Sequence, residues 1–290
     1  MKDIIVIIGP TGVGKTKLSV ELAKKIDAEI INGDAMQVYK HLNIGTAKVN
    51  EEEKEGIKHH LFDIKEINED YSVYDYQRDA RKKIEEISSR GKRIIIVGGT
   101  GLYIKATLYD YRFTPNTIIN DYADLSNEEI LLKIKKYDEN TLIHVNNRKR
   151  LVRCLNKYEN KEEVTYNKDK LLYNVKVIAL TTARDNLYKR INDRVDIMIK
   201  AGLVEEVKQY KNYFKTSKAL NTGIGYKEFY DYFYNGKDLS LVVEDIKKNS
   251  RKYAKRQYTF FRHQFEAIWL DVNFEDFTKT VNNAYNYIKK

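Results

Sequence analysis

Apolar residues fall along this chain in two alternating rhythms. Short apolar runs bounded by glycine or proline read as buried strands. They stand at Ile4–Ile8, Glu29–Asn32, Arg93–Val97 and Val175–Leu180, and a last one begins at Trp269. Between them, apolar positions recur at three- and four-residue steps, as helices require. Leu18, Leu22, Ala23 and Ile26 share one stripe, as do Val73, Tyr76, Ala80, Ile84 and Ile87, and Leu187, Ile191, Val195 and Met198. Gly91 ends the second of these. Further helices are expected after Gly98–Tyr103 and from Ser126 to Tyr137, where Ser126 and Glu129 make a capping box. Strands alternating with helices predict an α/β fold, a parallel sheet flanked by helices.

The first strand runs into Gly9-Pro10-Thr11-Gly12-Val13-Gly14-Lys15-Thr16, which fits G-x-x-x-x-G-K-[ST]. Strand, glycine-rich turn and helix are the setting of a phosphate-binding loop. Its backbone N–H groups converge on phosphate oxygens, aided by the positive end of the helix. Lys15 would reach an outer phosphate, and the Thr16 hydroxyl would hold Mg²⁺. The fold expected is therefore P-loop NTPase-like.

Other candidates stand at strand exits, where open α/β sheets bind ligands. Asp34 is a candidate general base or Mg²⁺-sphere carboxylate; an Asx-turn after Gly33 explains it equally well. Thr100, in the second glycine-rich exit Gly98–Tyr103, could donate to the same diphosphate or simply cap a helix. Arg190 and Arg194 lie four apart on one helix face and could grip a departing diphosphate, or pair with Asp193 and Asp196. His59 and His60, being adjacent, cannot face one metal from a regular element.

The 290 residues are 42% hydrophobic, enough for one large domain or a domain with an insert. A lone cysteine, Cys154, excludes an internal disulfide framework. No apolar run approaches the ~18 residues of a membrane span. No signal peptide is evident either, so a cytoplasmic chain is expected. The net charge of +10 favours an anionic partner, nucleic acid first, unless it reflects lysine-rich composition alone. The charge clusters at Arg148, Lys149, Arg150 and Arg153. It clusters again at Lys247, Lys248, Arg251, Lys252, Lys255, Arg256 and Arg262, which fill one half of a helical wheel.

Asp34-Ala-Met-Gln-Val-Tyr39 with Asn43-Ile-Gly-Thr-Ala-Lys48 resembles the signature of tRNA dimethylallyltransferases, the bacterial-type tRNA isopentenyltransferases. The resemblance continues through His59-His60-Leu61 with Asp63, Gly98–Tyr103, Arg190–Arg194, Gly202–Val207, Gly223–Glu228 and Arg251–Gln257. It departs at Ala35, Val145, Cys154, Asn156 and Phe260, where serine, proline, alanine, glutamate and tryptophan are usual. It implies transfer of a dimethylallyl group from dimethylallyl diphosphate to N6 of adenosine 37 in tRNA; Mg²⁺ on Thr16 and a monomer are expected besides. It places a P-loop core in 1–110, a shortened helical insert in 111–144 and the continuing core, with tRNA-binding helices, in 145–290.

On this reading Asp34, Thr100, Arg190 and Arg194 are catalytic, and Gly9–Thr16 hold a prenyl diphosphate in place of ATP. Asp34, Ala35, Met36, Gln37, Lys149, Arg150, Arg153, Gly223, Tyr226, Lys227, Lys252 and Arg256 meet tRNA. Two other functions fit parts of the pattern. A small-molecule kinase would use the same loop and Asp34 but leaves the basic helix unexplained. An RNA-binding protein without chemistry explains the charge but not Asp34 beside two phosphate loops.

Overall fold

The computed structural model describes residues 2–113, 119–161 and 170–289. They form two compact units, Met1–Tyr109 with Lys170–Lys290, and Asp110–Asp169.

In chain order the first unit begins with β1 (Asp3–Ile8), α1 (Lys15–Ile26), β2 (Ala28–Asn32), α2 (Glu51–Lys54) and β3 (His59–His60). α3 (Val73–Ser89), β4 (Arg93–Val97) and α4 (Gly101–Leu108) follow. After α5 (Asn127–Lys135) and α6 (Arg148–Glu159) of the second unit come β5 (Asn174–Thr181), α7 (Arg184–Lys200), α8 (Leu203–Tyr210), α9 (Lys218–Thr222) and α10 (Tyr230–Tyr234). α11 (Leu239–Gln264), β6 (Ile268–Asp271) and α12 (Phe277–Lys289) end the chain.

The strands pair in the order β3-β2-β4-β1-β5-β6, all parallel. β1 lies between β4 and β5, with Ile5 opposite both Ile95 and Lys176. Helices cover both faces, so the central strands are apolar on both sides, and Val6, Ile7 and Ile8 are fully buried. The chain leaves β1 toward one side and β4 toward the other. The resulting reversal opens a crevice at the carboxyl ends of the strands. The P-loop, the Gly98–Thr100 exit and the end of β5 meet there.

His59–His60 was not expected as a strand. Two residues carry too little apolar pattern to be seen, but they pair with Ile30 and Ile31 at the sheet edge. His60 Nε2 lies 2.6 Å from Glu29 Oε2, a structural pairing. α11 begins at Leu239, well before the basic run. No helix among the described residues is long and apolar enough to cross a membrane.

In the second unit α5 and α6 pack through Ile130, Ile134, Leu151 and Leu155. Arg148, half-buried at the start of α6, ties it to the segment leading into α5, donating to the carbonyls of Leu125 (2.8 Å) and Tyr122 (2.6 Å). α6 therefore belongs with the insert, and the boundary expected after residue 144 moves to 169. The break in pattern at 144 is only the turn between two helices of one small core. Segments 114–118 and 162–169, parts of the expected insert and continuing core, lie outside the described residues.

Candidate active site

Gly14 sits at φ 93°, a backbone state that disfavours side chains, and opens α1 without a side-chain cap. The first N–H groups of α1 are thus left for a ligand. Val13 is fully buried and Pro10 is buried, so these two side chains anchor the loop while Gly12 and Gly14 face the crevice. Across from it, β2 and β4 exit in contact. A Cβ on Gly98 would lie 2.1 Å from the Gly33 backbone.

Long-range hydrogen bonds lock these loops together. Gln257, on the buried side of α11, accepts from Thr11 N (2.9 Å) and donates to Gly99 O (3.0 Å), bridging both glycine-rich exits. Arg194 donates to Thr11 Oγ1 (3.1 Å) and Arg190 to Gly12 O (3.0 Å). Lys15 Nζ donates to Pro10 O at 2.8 Å. Its burial pulls its pKa down to about 7; the Asp34 charge opposes this and the Arg194 charge adds to it. Burial likewise disfavours the Arg194 charge, which Asp34 partly offsets.

Asp34 is held by a double brace. Its N–H donates to Asn32 Oδ1 (2.9 Å), and its Oδ1 accepts from Met36 N (2.9 Å). The Asx-turn is therefore real, and it aims the carboxylate. Oδ2 has no hydrogen-bond partner among the described residues and faces Gly99, 3.5 Å from where a Cβ would stand.

Two cavities meet at this carboxylate. One, of about 590 Å³, is lined by Gly12, Lys15, Thr16, Gly98, Arg190 and Arg194. The other, of about 310 Å³, is lined by Ala35, Met36, Gly223, Ile224, Lys227 and Arg256. Asp34, Thr11, Arg194 and Tyr253 line both. The first is rich in cations and backbone donors, while the second mixes apolar walls with polar groups.

A family model described as IPP transferase matches residues 37–264. The chain belongs to this family. A relative named tRNA dimethylallyltransferase from Anoxybacillus flavithermus is 46% identical over 99% of this chain and 96% of its own. One from Bacillus subtilis is 44% identical, over 93% and 91%. The solved tRNA isopentenylpyrophosphate transferase of Bacillus halodurans is 38% identical with a TM-score of 0.78, covering 100% of this chain and 96% of that one. A eukaryotic dimethylallyltransferase acting on tRNA is 30% identical with the same TM-score of 0.78, covering 93% and 74%.

Within this IPP transferase fold, most candidates from the sequence converge. Thr11, Gly12, Gly14, Lys15, Thr16, Asp34, Arg190 and Arg194 surround one crevice, with Gly9, Pro10 and Val13 buried behind it, and Ala35, Met36, Gly223, Lys227 and Arg256 line its second cavity. Three depart from expectation. Thr100 faces the second cavity, and its Oγ1 accepts from Ala35 N at 2.9 Å. It braces the Asp34 turn, while Gly98 and Gly99 line the P-loop cavity. Tyr226 is fully buried with its hydroxyl on Glu206 Oε1 at 2.7 Å, so it cannot touch RNA. Gln37 ties its amide nitrogen to the carbonyls of Thr46 and Ala47 and lines the P-loop cavity, not the second one.

Lys149, Arg150 and Arg153 are exposed on α6, and Lys252 on α11. Of the basic face of α11, Lys247 is paired with Asp196 at 2.8 Å and Arg251 donates to Asn192 at 2.6 Å. These two fasten α11 to α7. Gln257 and Glu206 were missed. A polar residue on the apolar half of a helical wheel is the signal that marks Gln257.

Proposed function

We propose that the chain transfers a dimethylallyl group from dimethylallyl diphosphate to N6 of adenosine 37 in tRNA, releasing diphosphate. The single observation that carries this is Asp34 standing where a phosphate-type cavity and a second, base-sized cavity meet. The donor's diphosphate lies on the P-loop, and the adenine, out of its stack, enters between Met36 and Gly223.

The exocyclic amine is a poor nucleophile because its lone pair is delocalised into the ring. As N6 bonds to the allylic carbon, that carbon's bond to oxygen breaks and the electron pair leaves with diphosphate. Asp34 Oδ2 takes the N6 proton, an assistance typically worth ~10²–10⁴-fold. Lys15, Arg190, Arg194 and the loop N–H groups hold the charge that develops on the leaving oxygens. Thr100 and Asn32 keep the carboxylate in place.

A Mg²⁺ fits the donor set: Thr16 and Asp193 offer oxygen ligands in the P-loop cavity, and magnesium keeps most of its shell as water and phosphate. When bound, it would neutralise diphosphate charge. Cations on α6 and α11 would hold the RNA backbone. A cytoplasmic monomer is part of the same proposal.

Incubation with tRNA, dimethylallyl diphosphate and Mg²⁺, in parallel with ATP, tests it by mass of the tRNA. A gain of one dimethylallyl group is expected. Phosphoryl transfer from ATP to a small alcohol, or binding without product, would overturn it.

A further inference from the structure

A third cavity, of about 470 Å³, opens between the start of α7 and the last turns of α11. Arg184, Lys255, Arg262 and His263 line it together with the hydroxyl-bearing Thr182 and Thr259, and no carboxylate does. Among the described residues, no acidic side chain lies within ion-pair distance of Arg184, Lys255 or Arg262, unlike Lys247 higher on the same helix. Three cations held together without counter-charge oppose one another, so the arrangement favours an anion.

The aromatic floor is already committed. The Tyr258 ring stacks on Trp269 at 5.9 Å, and its hydroxyl lies 3.0 Å from Thr181 Oγ1. Arg262 covers the Trp269 ring at 5.3 Å, and Arg184 covers Tyr188 at 5.1 Å. These contacts hold the guanidinium groups in place and leave no open ring for a base to stack on. The Thr259 hydroxyl donates to Lys255 O (3.1 Å), so the cations and the Thr182 hydroxyl remain, which is the chemistry of a phosphate.

Position along α11 separates a polynucleotide from a free ion. Lys248, Lys255 and Arg262 recur every seven residues, so they form one line on the exposed face. At 1.5 Å per residue that line is about 21 Å long, and it passes Arg256 at the mouth of the second cavity. A lone phosphate needs no such row.

We propose that this cavity is a second backbone-phosphate site for the acceptor RNA, outside the two cavities that meet at Asp34. It would hold a phosphate remote from the modified base and so fix the angle at which the RNA lies along α11. The proposal rests on tRNA being the acceptor.

The test is tRNA binding by the full chain as a function of salt, measured for Arg184→Gln and separately for Lys255→Gln. Arg184 lies on α7, outside the α11 row, and is exposed, so its loss does not threaten folding. Each removed contact should lower the magnitude of the salt slope by about 0.7–0.9 and weaken binding about fivefold near 0.15 M salt. For Arg184→Gln the turnover rate at saturating tRNA and the donor KM should stay unchanged.

If the wild type binds tRNA and both variants bind it with the same affinity and slope, the cavity is not an RNA site. Inorganic phosphate that stabilises the wild type but not Arg184→Gln, with tRNA binding unaltered, would make it a small-anion site and also overturn the proposal. Failure of the wild type to bind any tRNA would overturn this inference and the proposed function together.

Discussion

Glu206 offers the sharpest test of how the second cavity is built. Its carboxylate accepts from four donors. Oε2 takes the N–H groups of Asn43 (3.0 Å) and Ile44 (2.8 Å), and Oε1 takes Gly45 N (3.2 Å) and the Tyr226 hydroxyl (2.7 Å). Glu206 is buried, and the loop it gathers supplies Gly45 and Thr46 to the cavities beside Asp34. In Glu206→Ala the half-buried loop amides can turn to water, but the Tyr226 hydroxyl cannot.

An unpaired buried polar group costs about 1–3 kcal/mol, and a hydrogen bond to a charged group contributes about 1.5–3. A loss of about 3 kcal/mol follows, or roughly 5 °C in Tm for a chain of this size. Glu206→Gln should be nearly as damaging, because in either orientation its NH₂ faces backbone N–H donors. Thermal and urea unfolding would measure both variants, and steady-state kinetics should show KM for tRNA rising more than the donor KM. If Glu206→Gln unfolds within about 0.5 kcal/mol of the wild type, the carboxylate is not the fastening described here.

Three further outcomes are expected. Asp34→Asn should lower kcat by about 10²–10⁴-fold while tRNA affinity stays within twofold, as roughly expected for loss of a general base; an equal loss of affinity would make Asp34 a binding group. Lys15, with its folded pKa lowered to about 7 from 10.5, binds fewer protons folded than unfolded between those values, so its contribution to stability rises with pH across that window. Diphosphate binding near pH 8 should accordingly take up a proton, detected by calorimetry in buffers of different ionisation heat; no uptake would mean Lys15 is already charged. Gln257→Leu removes the bridge between the two glycine-rich exits and should raise the donor KM several-fold, whereas an unchanged value would leave the bridge without a role.

How much of this was legible beforehand depended on sequence separation. The P-loop and Asp34 could be read because strand, turn and helix there are consecutive in the chain. Even the two accounts of Asp34, Asx-turn and catalytic carboxylate, were both visible and proved compatible, since Oδ1 serves the turn and Oδ2 faces Gly99.

Thr100, Tyr226 and Gln37 carried family motifs, but their direction is set by partners elsewhere: Ala35 for Thr100 and Glu206 for Tyr226. Spacing alone holds no such information. The basic face of α11 was likewise read as uniform, yet Lys247 and Arg251 are spent on α7. The second unit was misjudged at its far edge because Arg148, seen only as a cation, ties the start of α6 to the segment leading into α5.

The most direct test of the central claim is a structure of the complex with an anticodon stem-loop and an unreactive thiolo analogue of dimethylallyl diphosphate. The adenine N6 is expected about 3 Å from Asp34 Oδ2, with the diphosphate on Gly12–Thr16 and the base against Met36 and Gly223. A diphosphate outside the P-loop, or an adenine bound out of reach of Asp34, would contradict the account.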